Sequence, residues 1–157
     1  IAAAQTFDPA RYPESVLKGD DVAKAASFVA AVPEVRAELI AFQRAFAKRK
    51  PGVVIDGRDI GTVIVPDADV KMYVTATPQE RARRRILELR GRGESVDEAA
   101  VLADIIARDE RDMNRPVAPL KQAEDAHLLD TTHLDIAAAV RAAVDIVEAV
   151  RTGRRSG

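Results

Sequence analysis

The chain has 157 residues, 24 basic and 25 acidic side chains for a formal net charge of −1, and no cysteine. That length suits one domain, or one core with a small excursion; the balanced charge pulls toward neither nucleic acid nor membrane. The lack of thiols excludes a disulfide framework and a thiolate metal site, and 4 % aromatic residues leave little for a base-stacking platform. No apolar run approaches the ~20 residues of a membrane span and no signal peptide is evident, so a soluble, cytoplasmic protein is expected.

Residues 1–21 carry Asp8-Pro9, Tyr12-Pro13 and Lys18-Gly19-Asp20-Asp21, turn signals that predict a loop-rich excursion. The Ala-rich stretch from Val22 predicts a short helix that stops before Pro33. Pro33-Glu34 opens a longer helix, with Val35, Leu39, Phe42 and Phe46 at helical spacing and Arg36, Glu38, Gln43 and Arg44 on other faces. Val53-Val54-Ile55 then reads as a short strand buried on both faces, ending in Asp56-Gly57-Arg58-Asp59. Ligands of open α/β sheets bind beyond the carboxyl ends of strands, and Gly57 and Gly61 permit a close backbone approach to an anion. Taken locally, an ordinary charged turn fits this stretch as well.

Val70 to Val74 predicts a second strand. Thr77-Pro78-Gln79-Glu80 is a capping box that starts a helix to about Leu89, and Ser95-Val96-Asp97-Glu98 is a second one, starting a helix to about Asp112. Ala126 to Asp130 predicts a third strand. Thr131 to Asp135 caps a final helix with the stripe Ile136, Ala139, Val140, Ala143, Val144 and Val147. Strands alternating with capped helices predict an α/β fold on a parallel sheet.

Two clusters could carry chemistry. Arg81, Arg83, Arg84, Arg85 and Arg90 crowd one helix, opposite Ala82, Ile86 and Leu89, and Arg92 follows it between glycines. Such guanidiniums repel one another unless an anion or carboxylates compensate them; a solvated basic face and a flap closing over phosphates are both open readings. Arg108 and Asp112 share a helical face, which Arg115 would extend were the helix not ended by Pro116. A carboxylate between guanidiniums can hold their forks for a phosphate or a sugar hydroxyl, although plain i, i+4 ion pairs would look the same. His127 and His133 lack metal-ligand spacing, and no metal-binding side chains are expected.

Three segments in order resemble bacterial cytidylate kinases: Val54-Ile-Asp-Gly-Arg-Asp-Ile-Gly-Thr-Val, the arginine-rich helix after Thr77-Pro78, and Arg108-Asp-Glu-Arg-Asp-Met-Asn-Arg-Pro-Val-Ala-Pro-Leu-Lys. The resemblance covers nearly the whole chain. It implies a three-layer P-loop kinase core on a parallel sheet, a compact monophosphate-binding insertion over residues 1–33, the rest of the core over 34–157, and an arginine-rich lid at about 81–93. It further implies that Ser27, Arg36 and Asp59 read cytosine, that Arg108 and Asp112 meet the ribose, and that Arg58 and Arg115 hold the acceptor phosphate. Arg84 and Arg85 would be the lid's ligands to the donor phosphates, making Arg58, Arg84, Arg85 and Arg115 the catalytic set. The implied activity is ATP-dependent phosphorylation of CMP or dCMP with Mg²⁺, by a cytoplasmic monomer without nucleic-acid or membrane partners. The family's Gly-rich loop ending in Gly-Lys-[Ser/Thr], which holds donor phosphates, has no match in residues 1–50. An N-terminal P-loop part is therefore expected to be absent, and the present residues alone are expected to be inert. A non-catalytic nucleotide-binding or regulatory module is the alternative, and an RNA-binding helical domain a more distant one.

Overall fold

A computed structural model describes residues 11–13, 20–30 and 32–153; the expected loop of residues 1–21 falls almost wholly outside them. Helix α1 is Asp20–Val29 and α2 is Pro33–Ala47. Pro33 occupies the first helical position, where a missing N–H costs nothing. An extended stretch then leads to a five-residue π-helical turn, Ile60–Ile64. Strand β1 (Met72–Thr75) follows, then α3 (Pro78–Gly91), α4 (Glu98–Asn114), β2 (His127–Asp130) and α5 (Ile136–Arg151).

The strands β1 and β2 pair in parallel, Met72 opposite His127 and Thr75 opposite Asp130. Parallel neighbours need a crossover, and here it is the α3–α4 hairpin. Two further bonds extend the ladder, His127 N–H to Lys71 O at 2.9 Å and Thr131 N–H to Thr75 O at 2.8 Å. The core comprises Ile64, Ala76, Leu129 and the inward face of α3, Ala82, Ile86 and Leu89.

The caps are legible in the bonds. Thr77 Oγ1 accepts from Glu80 N–H at 3.3 Å, while the N–H of Thr77 donates to Thr132 Oγ1 at 3.1 Å. Glu80 turns its carboxylate to Arg83 and Arg84, so only half of a reciprocal box forms. The expected box at Ser95 is corrected: Asp97 is the cap of α4, its Oδ1 accepting from Ala99 and Ala100 N–H at 3.0 and 3.1 Å. A carboxylate two residues nearer the helix reaches those amides directly.

The strand expected at Val53–Ile55 is also corrected. Residues 52–56 form no ladder among the described residues, and Val54 is 94 % exposed rather than buried on two faces. β-branched composition favours extended backbone, but a strand exists only where a neighbour supplies partners. The α5 stripe is split in the same way. Ala139, Ala143 and Val147 are half-buried, whereas Ile136, Val140 and Val144 face outward, because the apolar arc is wider than two strands can cover.

Candidate active site

The site is assembled by α2, the segment into the π-helical turn, and the C-terminal end of α4. Asp59 is the residue before the turn, and its backbone oxygen accepts from Val63 and Ile64 N–H at 2.9 and 3.2 Å and from Thr62 Oγ1 at 3.3 Å. Its carboxylate, buried with the residue only 7 % exposed, lies between two guanidiniums. Arg36 of α2 donates to Oδ2, and Arg115, just past α4, donates to Oδ1 at 3.4 Å. Arg115 is held in turn by its Nε–H to Ala118 O at 2.6 Å.

Beside it stands a second clamp of the same design. Asp112, 5 % exposed on α4, accepts from Arg58 Nε–H at 2.8 Å, and the Arg108 guanidinium lies 3.9 Å from the same oxygen. The loop after α4 closes on this end through Leu120 N–H to Asp112 O at 2.8 Å. Arg58 and Asp59 are adjacent in sequence, so the two clamps form one cluster of four guanidiniums and two carboxylates with net charge +2. Buried carboxylates orient the forks. The Nε–H groups of Arg58 and Arg115 are used internally, and Arg115 Nη2 also donates to Asp59, so the donors left to meet an anion are the Arg58 terminal nitrogens and the remaining terminal N–H groups of Arg115.

Arg58 and Asp59 line a cleft of about 520 Å³ between residues 55–62 and β1, joined there by Lys71, Tyr73, Arg81 and Asp109. That size suits a small molecule. Gly57 belongs to this wall for a steric reason, since a Cβ there would stand 2.9 Å from the Ile60 side chain. Lys71 spans to Asp125 with Nζ–Oδ distances of 2.7 and 2.9 Å, and this ion pair holds the Asp125 carboxyl below its ordinary range.

Of the residues singled out from sequence, Arg36, Arg58, Asp59, Arg108, Asp112 and Arg115 are therefore brought together. Ser27 falls within α1, with its side chain outside the described residues. Arg84 and Arg85 lie on α3, bonded to groups outside this cluster. Arg84 donates to Glu80, to Thr131 Oγ1 at 3.1 Å and to Thr131 O at 2.5 Å, which pins α3 to the end of β2. Arg85 pairs with Glu88 at 2.7 Å.

Carboxylates thus compensate the arginine run. Glu80 takes Arg83 and Arg84, Glu88 takes Arg85 and Arg92, Glu98 takes Arg90, and Asp109 takes Arg81. The bonds from Arg83, then those from Arg84, hold the Glu80 carboxyl at about 2, and Asp109 raises the Arg81 guanidinium above its ordinary value. The sequence reading uses Thr131 only in the cap of the last helix; its bonds to Arg84, 47 residues earlier in the chain, have no local signal.

The fold is a parallel α/β crossover carrying two arginine–carboxylate clamps, of which Arg58 and Asp59 alone also line the small cleft, a constellation chemically suited to a compact anionic ligand. The family model for cytidylate kinase matches residues 6–149. A cytidylate kinase of Bradyrhizobium sp. (strain ORS 278) is 63 % identical over 152 residues, covering 97 % of this chain and 72 % of that protein. Cytidylate kinases of Bradyrhizobium diazoefficiens and Rhodopseudomonas palustris (strain TIE-1) are each 60 % identical, covering 100 % and 97 % of this chain and 74 % and 72 % of those proteins. The chain belongs to the cytidylate kinase family.

Proposed function

We propose that this protein transfers the γ-phosphoryl group of ATP to CMP or dCMP, giving the diphosphate and ADP, the donor phosphates being held by the family's Gly-rich loop, which residues 1–50 do not supply. The observation that carries this reading is the double clamp, Arg36–Asp59–Arg115 beside Arg58–Asp112–Arg108. Its net charge of +2 complements a monophosphate dianion, with the outer nitrogens of Arg58 and Arg115 as phosphate donors. On this reading Arg108 and Asp112 meet the ribose. Asp59 accepts from the exocyclic amine of cytosine, while Arg36 offers donors to the ring's acceptor edge, with Ser27 as a further contact. Uracil would turn a carbonyl oxygen to the carboxylate, so a buried carboxylate is a sharp discriminator.

In the transfer, an acceptor phosphate oxygen attacks the γ-phosphorus as the bond to the ADP oxygen breaks. Arg58 and Arg115 act by orientation and by spreading charge, which is most of what phosphoryl transfer asks of a protein. Arg84 and Arg85, on the lid at about 81–93, serve the donor phosphates once exchanged from Glu80 and Glu88. Mg²⁺ would accompany ATP and relieve repulsion between its phosphates. Among the described residues no three His, Asp or Glu side chains gather to hold a cation. The buried carboxylates Asp59 and Asp112 serve instead to orient arginines. On this reading residues 1–33 form the monophosphate-binding insertion and 34–157 the rest of the core, acting as a monomer in the cytoplasm. No described helix is long and apolar enough to cross a membrane.

Likeness to named kinases over 97–100 % of this chain disfavours a non-catalytic module. A thermal-shift and phosphoryl-transfer panel of CMP, dCMP, UMP and AMP tests the proposal. Preference for CMP and dCMP supports it, and equal response to all four refutes it.

A further inference from the structure

Arg44 belongs to neither clamp, yet it is bonded to the same turn. Its Nε–H donates to Ile64 O and its Nη2–H to Val63 O, both at 3.0 Å. These are carbonyls at the C-terminal end of the π-helical turn, where a helix has acceptors without partners of its own and where positive charge is favoured. The other end of the turn begins at Asp59, whose carboxylate Arg36 holds. Arg36 and Arg44 lie eight residues apart on α2, just over two helical turns. One helix thus grips both ends of a turn so short that a shift at one end moves the other. Single π-helical turns often sit at functional sites, and this one starts directly after the carboxylate that the proposed function assigns to cytosine.

We infer that Arg44 is a positioning residue for base selection. Its guanidinium caps the turn, the turn holds the Asp59 backbone oxygen through the Val63 and Ile64 amides, and Asp59 is thereby presented at the height the base requires. The fork geometry is essential, because two carbonyls on successive residues match two parallel N–H groups; the ammonium of a lysine is a single point donor. The inference rests on the proposed function only for what Asp59 reads, and not for the mechanical link between Arg44 and Asp59.

The test uses the enzyme complete with its Gly-rich donor-phosphate loop and compares it with Arg44→Lys and Arg44→Gln, each first checked for native circular dichroism, with Arg151→Ala at the exposed C-terminal pair as control. Two readouts are taken. Hydrogen exchange of the Val63 and Ile64 amides, relative to those of β1, should accelerate about tenfold in both Arg44 variants, as expected for losing hydrogen bonds of ordinary strength. The ratio of kcat/KM for CMP over UMP should fall about threefold to tenfold, lysine failing to rescue it, while KM for ATP stays within about twofold. A uniform loss of stability with unchanged exchange at Val63 and Ile64 overturns the mechanical link. Accelerated exchange with an unchanged CMP:UMP ratio overturns the positioning role. A wild-type protein indifferent between CMP and UMP refutes the proposed function instead, and the exchange readout still judges the link.

Discussion

Replacing Asp59 by asparagine tests the base-reading role and the clamp together. The side chains of Asp59, Arg36 and Arg115 are 9 %, 11 % and 14 % exposed, so the variant leaves two guanidiniums facing one neutral amide in a nearly dry site. Breaking a buried ion pair on one side costs about 3–5 kcal/mol. The amide keeps one acceptor and the outer nitrogens still reach water, which brings the expected cost to about 2 kcal/mol. For a chain of this size that lowers Tm by about 4–8 °C. Specificity changes separately. A hydrogen bond to a charged group is worth about 1.5–3 kcal/mol, so losing it should cut the CMP:UMP ratio of kcat/KM by about 10- to 100-fold. Asparagine can also turn its amide nitrogen toward the uracil carbonyl, which pushes the ratio the same way. The assay is ADP release with each monophosphate at temperatures well below the variant's Tm. A CMP:UMP ratio within about threefold of wild type, alongside the expected loss of Tm, would mean that Asp59 only holds arginines together.

Arg115→Ala should instead weaken CMP, dCMP and UMP alike, by about 10- to 100-fold in KM, because the phosphate is common to all three; steady-state kinetics on each decides it. Asp97→Ala removes the cap of α4 and should cost about 1 kcal/mol, a fall of about 2–4 °C by calorimetry, whereas Ser95→Ala should change Tm by less than about 1 °C. Glu80 should titrate at about 2 against an ordinary 4.5. Because the folded value lies below the unfolded one, its stabilising contribution is complete above about pH 4.5 and disappears as pH falls through about 2. A carboxyl NMR titration with its inflection near 4.5 would refute the Glu80–Arg83–Arg84 arrangement.

Much of the site was legible because its chemistry is local in sequence. Arg58 and Asp59 are adjacent, Arg108 and Asp112 share a helical face, and Pro116 does release Arg115 from α4, whose last residue is Asn114. The inward face of α3 followed from its period. What could not be read was pairing at a distance. Val53–Ile55 has strand composition, but composition cannot say whether a neighbour is there to bond it. Ser95 and Asp97 both carry cap chemistry, and a difference of two residues decides which side chain reaches the amides. Arg44 counted as one more polar-face residue, since nothing local reveals that a turn nineteen and twenty residues away presents carbonyls to it. Arg84 has a helical neighbour in Glu80, but its other partner, Thr131, lies 47 residues further on.

One nucleoside monophosphate is expected to sit in the paired clamps. Nitrogen-15 spectra of the arginine Nε–H groups, recorded as CMP is added, report on those clamps directly. Saturable shifts are expected at Arg36, Arg58, Arg108 and Arg115, with the exposed Arg83 and Arg151 unmoved. Shifts confined to α3, or none in the four clamp arginines at saturating CMP, would contradict that placement.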